Sequence, residues 1–268
     1  MQTEFTTYQE KIGKSENVLI VYGAQASFSA VSLATSLFLW CKDLKKNVFL
    51  TSPSEPTVEF CNFVGINKVK KYLPKQNLVI KMPYDENKVA KVLSDLNQEK
   101  NELAIIIKPQ RGCEPIEQQE VKLTYQSADY DLIFLIGVEQ KDELNRLFRD
   151  NERMLQNKDK LITINDFASV CPIQAQIVKQ LGKNTSYASW WGQLLHAGEA
   201  TIGADQASNL LMGLEKETAN FSRPDCSPED FELAAWLMRQ GGTRHHTDEA
   251  ASENFSAQHH LPKVNLKV

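Results

Sequence analysis

The fold is decided by residues 18–48, Val18-Leu-Ile-Val-Tyr-Gly-Ala-Gln-Ala-Ser-Phe-Ser-Ala-Val-Ser-Leu-Ala-Thr-Ser-Leu-Phe-Leu-Trp-Cys-Lys-Asp-Leu-Lys-Lys-Asn-Val48. The opening run Val18-Leu-Ile-Val21 is apolar without alternation and short, as a strand buried on both faces would be. A small-residue turn, Tyr22 to Ser27, follows, and then an apolar stretch predicts a helix from about Ser29 to Asp43 that Ser27 or Ser29 can cap. A second apolar run, Asn47-Val-Phe-Leu-Thr51, begins within a few residues of the helix end. Strand, helix and strand at this spacing predict a right-handed crossover between parallel strands.

Outward from this unit, aliphatic bursts at Leu78–Ile80, Leu103–Ile107, Leu132–Ile136 and Leu161–Ile164 predict further strands, several of them buried on both faces. Val89, Val92, Leu93 and Leu96 fall at i, i+3, i+4 and i+7, and Leu144, Leu147 and Phe148 repeat that spacing, so both segments are expected to be helices. From Asp205 the chain reads as helical. Ser227-Pro228-Glu229-Asp230 supplies an N-cap, a first-turn proline and acidic residues against the dipole, with Gly241 as the stop. The expected class is therefore α/β, a parallel β-sheet flanked by helices with a helical C-terminal part. Residues 1–242 are read as one domain. Thr243–Val268, which has little apolar periodicity and four histidines, is read as a flexible tail or extended arm.

The 34 acidic and 30 basic residues give a formal charge of −4, which excludes a basic footprint over the whole chain. Val64 to Arg111 carries ten Lys and Arg against five Asp and Glu, so nucleic acid is expected at most as a weak, local ligand. Five cysteines at wide spacing, without a C-x-x-C pair, point to a reducing cytoplasm rather than a disulfide framework. The polar start, with Glu4 and Glu10, does not read as a leader. Val18 to Cys41 is 24 residues without a formal charge, long enough to span a bilayer. Its Gly23, Gln25, Ser27, Ser29, Ser32, Thr35 and Ser36 favour the strand-turn-helix reading, so membrane association is the lesser alternative.

Nucleotide motifs are missing where they would be needed. Gly13-Lys14-Ser15 precedes a strand instead of following one and lacks the earlier glycine, which is Tyr8, and Gly23 stands alone after the first strand. His245, His246, His259 and His260 read as tail, and His196, near Trp190 and Trp191, as a residue that caps or packs a helix.

The order of elements resembles the DHH phosphoesterases, a group of single-strand exonucleases, nanoRNases and exopolyphosphatases. The likeness rests on Val18–Val48, on Tyr130-Asp-Leu-Ile-Phe-Leu-Ile-Gly137, on Leu161-Ile-Thr-Ile-Asn-Asp-Phe167, and on Gly213–Phe221 before the Ser227–Gly242 segment. It implies a site for two divalent metals, usually manganese, held by Asp and His. This chain departs from the family at those ligands. Gly23, Ser27 and Ser29 replace a His and an Asp-Gly-Asp, Gly137 replaces a strand-end Asp, Asn165-Asp166-Phe167 replaces Asp-His-His, and Glu217 replaces a late Asp. Two carboxylates do not suffice to hold two metals. No counterpart of the family's C-terminal substrate-binding domain is expected either, because Gly241-Gly242-Thr243 is too short a match to its glycine-rich turn.

The resemblance thus implies a degenerate pocket formed by Gly23, Ser27, Ser29, Gly137, Asn165, Asp166, Phe167 and Glu217. No catalytic residue, metal or other cofactor is expected, and Phe167 should fill the space the ions would have taken. The expected role is binding or scaffolding, with a protein partner and a weak anionic or nucleotide ligand. The alternative is an active phosphoesterase with an atypical site, cleaving short oligonucleotides or nucleotide phosphates.

Overall fold

The computed structural model describes residues 1–98, 100–168 and 171–244. Four elements open the chain: α1 (Gln2–Lys14), β1 (Asn17–Tyr22), α2 (Phe28–Asp43) and β2 (Asn47–Thr51). Then come β3 (Lys75–Lys81), β4 (Val89–Asn97), β5 (Glu102–Pro109) and β6 (Lys122–Ser127). The rest comprises β7 (Leu132–Ile136), the short helices α3 (Asn145–Asp150) and α4 (Glu152–Leu155), β8 (Leu161–Asn165), β9 (Ile177–Gln180), α5 (Tyr187–Ala197), α6 (Ala204–Glu217) and α7 (Pro228–Arg239). The chain divides into two compact units, one of Met1–Leu73 with Asp129–Val268, the other of Pro74–Ala128.

The larger unit is an α/β fold whose five strands run parallel in the order β2-β1-β7-β8-β9. Alternate strand residues divide between the two faces. Val18, Ile20, Tyr22, Leu132, Phe134, Ile136, Ile162 and Ile164 join the main core with α2, α5 and α6, while Leu19, Val21, Ile133, Leu135 and Leu161 are buried on the opposite face. A sheet covered on both sides is what crossover connections produce, and it explains why these strands read as unbroken apolar runs. Helix α2 is buried along most of its length. Ser32 Oγ donates to the Asn209 carbonyl at 2.8 Å, fastening α2 to α6. Among the described residues no helix is long and apolar enough to cross a membrane, and Val18–Cys41 divides into strand β1, a turn and helix α2.

Helix α1 went unforeseen although its signal is present: Phe5, Tyr8 and Ile12 are buried and share one face. Phe5 and Tyr8 meet Trp40, Trp190 and Trp191 in an aromatic cluster with ring centroids 5.6–6.1 Å apart. His196 packs as expected, but it stacks on Trp236 at 4.9 Å. The Ser227 cap forms a reciprocal capping box with Asp230 at the start of α7. The tail histidines lie outside the described residues.

The smaller unit corrects the sequence reading. Val89–Leu96 is a strand, not a helix: β4 pairs antiparallel with β5, setting Val92 against Ile107 and Leu96 against Leu103. Leu78–Ile80 and Leu103–Ile107 are strands as expected, yet they lie in two-stranded antiparallel ribbons, β3 with β6 and β4 with β5, and not in the parallel sheet. Leu103 and Ile105 are exposed, not buried on both faces. The i, i+3, i+4, i+7 pattern was a coincidence of four aliphatic residues. Cross-strand pairing with Glu102–Pro109 decided the conformation.

Candidate functional site

The parallel strands end side by side, and main-chain hydrogen bonds close their C-terminal ends. Gly23 N–H donates to the Ile136 carbonyl at 3.0 Å, Gly137 N–H to Ile164 at 2.9 Å, and Leu181 N–H to Asn165 at 2.8 Å. Gly137 has φ +59°, a conformation that favours glycine. A Cβ at Gly23 would run into the Gly137 carbonyl oxygen. The two glycines are therefore packing positions, and neither contributes a side chain.

Three further positions make internal hydrogen bonds. Buried Ser29 Oγ accepts the Ala188 N–H at 2.9 Å, joining α2 to α5. Buried Asn165 donates its amide to the Val138 carbonyl at 2.9 Å. The Tyr187 hydroxyl accepts the Asp166 N–H at 2.9 Å, so the end of β8 is fastened to the first turn of α5.

Above this layer lies a cleft of about 330 Å³, lined by Ser27, Asp166, Lys183, Ser186, Tyr187, Glu217, Arg223, Asp225 and Asp230 among others. Of the eight expected pocket residues, Ser27, Asp166 and Glu217 line it. Gly23, Ser29, Gly137, Asn165 and Phe167 do not. Phe167 overturns its expectation outright: its side chain is on the surface, 62% exposed, and fills no cavity. The strand turns outward after Asp166, whose C=O accepts the Gln180 side-chain amide. The space beside the strand ends is occupied instead by the Tyr187 ring, which lies close to Gly137.

Two helix N-termini open on the cleft. Ser27 caps α2 by accepting the Ala30 N–H at 3.2 Å, and Ser186 caps α5 by accepting the Ser189 N–H at 3.1 Å. Such termini present partial positive charge. Lys183 and Arg223 add full charges. The Arg223 guanidinium is forked onto Asp225 at 2.9 and 2.6 Å and also donates to the Glu217 carbonyl at 3.0 Å. Desolvation pushes the Glu217 carboxyl above the ordinary glutamate range, and Arg223 pulls it partly back. Asp230 serves the α7 cap and accepts the Ser189 hydroxyl at 3.2 Å.

Lys183, Ser186, Arg223 and Asp225 come from the loops before α5 and α7, and Tyr187 opens α5; none of the five was foreseen. The only signal for any of them was the Asn184-Thr185-Ser186 run ahead of an apolar helix, which reads as a cap. Among the described residues no group of three or more His, Cys, Asp or Glu comes together that would hold a metal ion. The positions at which the resemblance expects metal ligands include two glycines, Ser27 capping α2, Ser29 bonded to α5, and Asn165, whose amide N–H bonds Val138 while its Oδ1 is buried without a hydrogen-bond partner. Asp166 and Glu217 are the carboxylates left there, and this donor set does not fit a pair of hard divalent cations.

No family profile and no curated protein matches the chain. Among solved structures it is similar to the crystal structure of an exopolyphosphatase-related protein from Bacteroides fragilis, at 12% identity and a TM-score of 0.60. The likeness is one of fold. The alignment covers 98% of this chain and 62% of that protein, so the chain spans less than two thirds of that neighbour's length.

Proposed function

We propose that this chain is a catalytically inactive relative of the DHH phosphoesterases, a binding module that holds a small phosphorylated ligand of the nucleotide class without cleaving it. The observation that carries the reading is the state of the strand ends. Positions that in the resemblance would bear metal ligands are built into main-chain closure and helix capping, while the cleft above them keeps two helix N-termini, Lys183 and Arg223. An anionic group suits Lys183 and the N-termini, and hydroxyl or amino donors suit the carboxylates of Asp166 and Glu217. The fold neighbour is described as related to an exopolyphosphatase, which supports a phosphorylated ligand class. All five cysteines are free, which supports a reducing, cytoplasmic setting, and a scaffolding role toward a protein partner belongs to the same proposal.

Titration calorimetry with adenosine and guanosine monophosphates and with inorganic phosphate tests it. A nucleotide should bind weakly, Lys183→Ala should abolish the heat, and added Mn²⁺ should produce no release of nitrophenol from bis-(p-nitrophenyl) phosphate. The four tail histidines should be changed to Gln in the metal titrations, because surface imidazoles bind Mn²⁺ by themselves. A second reading, hydrolysis by an atypical site, is favoured by one observation, that Asp166 and Glu217 line the same cleft. Metal-dependent turnover that Glu217→Gln removes would establish it and refute the inactive reading.

A further inference from the structure

Ala219, Asn220 and Phe221, which follow the last turn of α6, have φ of +49°, +56° and +63°. None is glycine, and L-residues enter this region only at a steric cost. The hydrogen bonds around them hold the turn. The Thr218 hydroxyl accepts the Phe221 N–H at 3.0 Å, and the Thr218 carbonyl accepts the Ser222 and Arg223 N–H groups at 3.1 and 3.2 Å. The turn brings Arg223 back to the end of α6, where its guanidinium donates to the Glu217 carbonyl at 3.0 Å and lines the cleft. Strain of this kind persists where the surrounding structure over-determines it, and here it fixes the place of one cation.

That cation is already engaged. Arg223 Nε and Nη2 fork onto the two carboxylate oxygens of Asp225 at 2.9 and 2.6 Å, the parallel pair of bonds that a guanidinium also makes to two oxygens of a phosphate. The bond from Arg223 holds the Asp225 carboxyl below its usual range, so it is ionised at neutral pH. The two side chains are 51% and 52% exposed, and an ion pair in contact with water is worth little. We propose that Asp225 stands in for the ligand's phosphate: it occupies Arg223 in the free protein, and a phosphate monoester displaces it and takes over the same two donors. This rests on the nucleotide-binding reading above and adds to it the ligand's terminal group and the residue that competes with it.

A competitor of charge −1 discriminates among ligands. Asp225 is two residues from Arg223, so it acts at high effective concentration, and a phosphate diester, also singly charged, gains little by replacing it. A monoester carries a charge of about −1.5 to −2 near neutral pH and three terminal oxygens, so it gains more from the guanidinium and from Lys183 in the same cleft. The displaced Asp225 carboxylate turns to water, which its side chain already meets.

Titration calorimetry of the full chain with adenosine monophosphate, a monoester, and with cyclic adenosine monophosphate, a diester, tests the proposal. The parent should bind the monoester more tightly than the diester. Asp225→Asn should tighten monoester binding about fivefold, the upper range for releasing an exposed ion pair. Glu229→Gln, which removes the same charge in the first turn of α7 without lining the cleft, should change it by less than about twofold. Arg223→Ala should weaken it about tenfold or more, and Asp225→Asn should add nothing in that background, because Asp225 acts through Arg223. Arg223→Lys, which keeps the charge and loses the fork, should abolish the same coupling. The proposal is overturned, with the nucleotide-binding reading intact, if Asp225→Asn weakens binding, gains no more than Glu229→Gln, or gains equally without Arg223. Absence of heat from both nucleotides in the parent and in Asp225→Asn overturns that reading and the proposal together.

Discussion

Gly23, at the end of β1, and Gly137, at the end of β7, approach so closely that a side chain on the first would occupy the position of the main-chain carbonyl of the second. The contact closes the C-terminal ends of two neighbouring parallel strands into a packed seam.

Gly23→Ala should therefore destabilise the protein by about 1–3 kcal/mol, because the backbone must move to admit one methyl group. Urea unfolding should show a lower midpoint with an unchanged slope. An unchanged midpoint would mean that the strand ends open easily, leaving room for a ligand at that level.

Asp131, at the entry to β7, accepts the main-chain N–H groups of Glu16 at 3.0 Å and Asn17 at 2.9 Å. The Asn17 N–H is the main cause holding its pKa below the ordinary aspartate range. A carboxyl depressed in the folded state stabilises above its unfolded pKa, and that stability is lost as pH falls through the folded value. Asp131→Ala should lower neutral-pH stability by about 0.5–1 kcal/mol, a modest figure because the site is exposed and screened. Parent and variant should converge in strong acid. A gap that persists there would trace the loss to packing.

Glu217 titrates in the opposite sense. Desolvation raises its folded pKa, so the native state holds the proton more tightly than the unfolded chain, and stability falls as pH rises from the ordinary glutamate value through the folded one. Glu217→Gln should be more stable than the parent at neutral pH and equal to it below the glutamate range. Melting curves across that range decide it; a variant less stable at neutral pH would show that the ionised carboxylate is itself held by partners.

Phe167→Ala should change stability by no more than about 0.5 kcal/mol, as expected for an exposed ring. A loss of several kcal/mol in thermal melts would return the ring to the interior.

The sequence by itself determined the α/β core, because each element there carries its signal within its own residues. Val18–Val21, Leu132–Ile136 and Leu161–Ile164 are apolar at every step or nearly so, as strands covered on both faces must be, and Ser27 and Ser227 cap helices through contacts only three residues long. What only the tertiary structure decided rests on partners distant in the chain. Val89–Leu96 became a strand because Leu103–Ile107 pairs with it, and Phe167 faces solvent because Tyr187, twenty residues on, occupies the space beside the strand ends. The cleft follows the same rule, since Ser27, Asp166, Lys183 and Arg223 share no local pattern and meet because parallel strands and successive helices bring their ends to one edge of the sheet. Local hydrogen bonds and hydrophobic period are written along the chain, whereas register, close approach and charge convergence are properties of segments folded against one another.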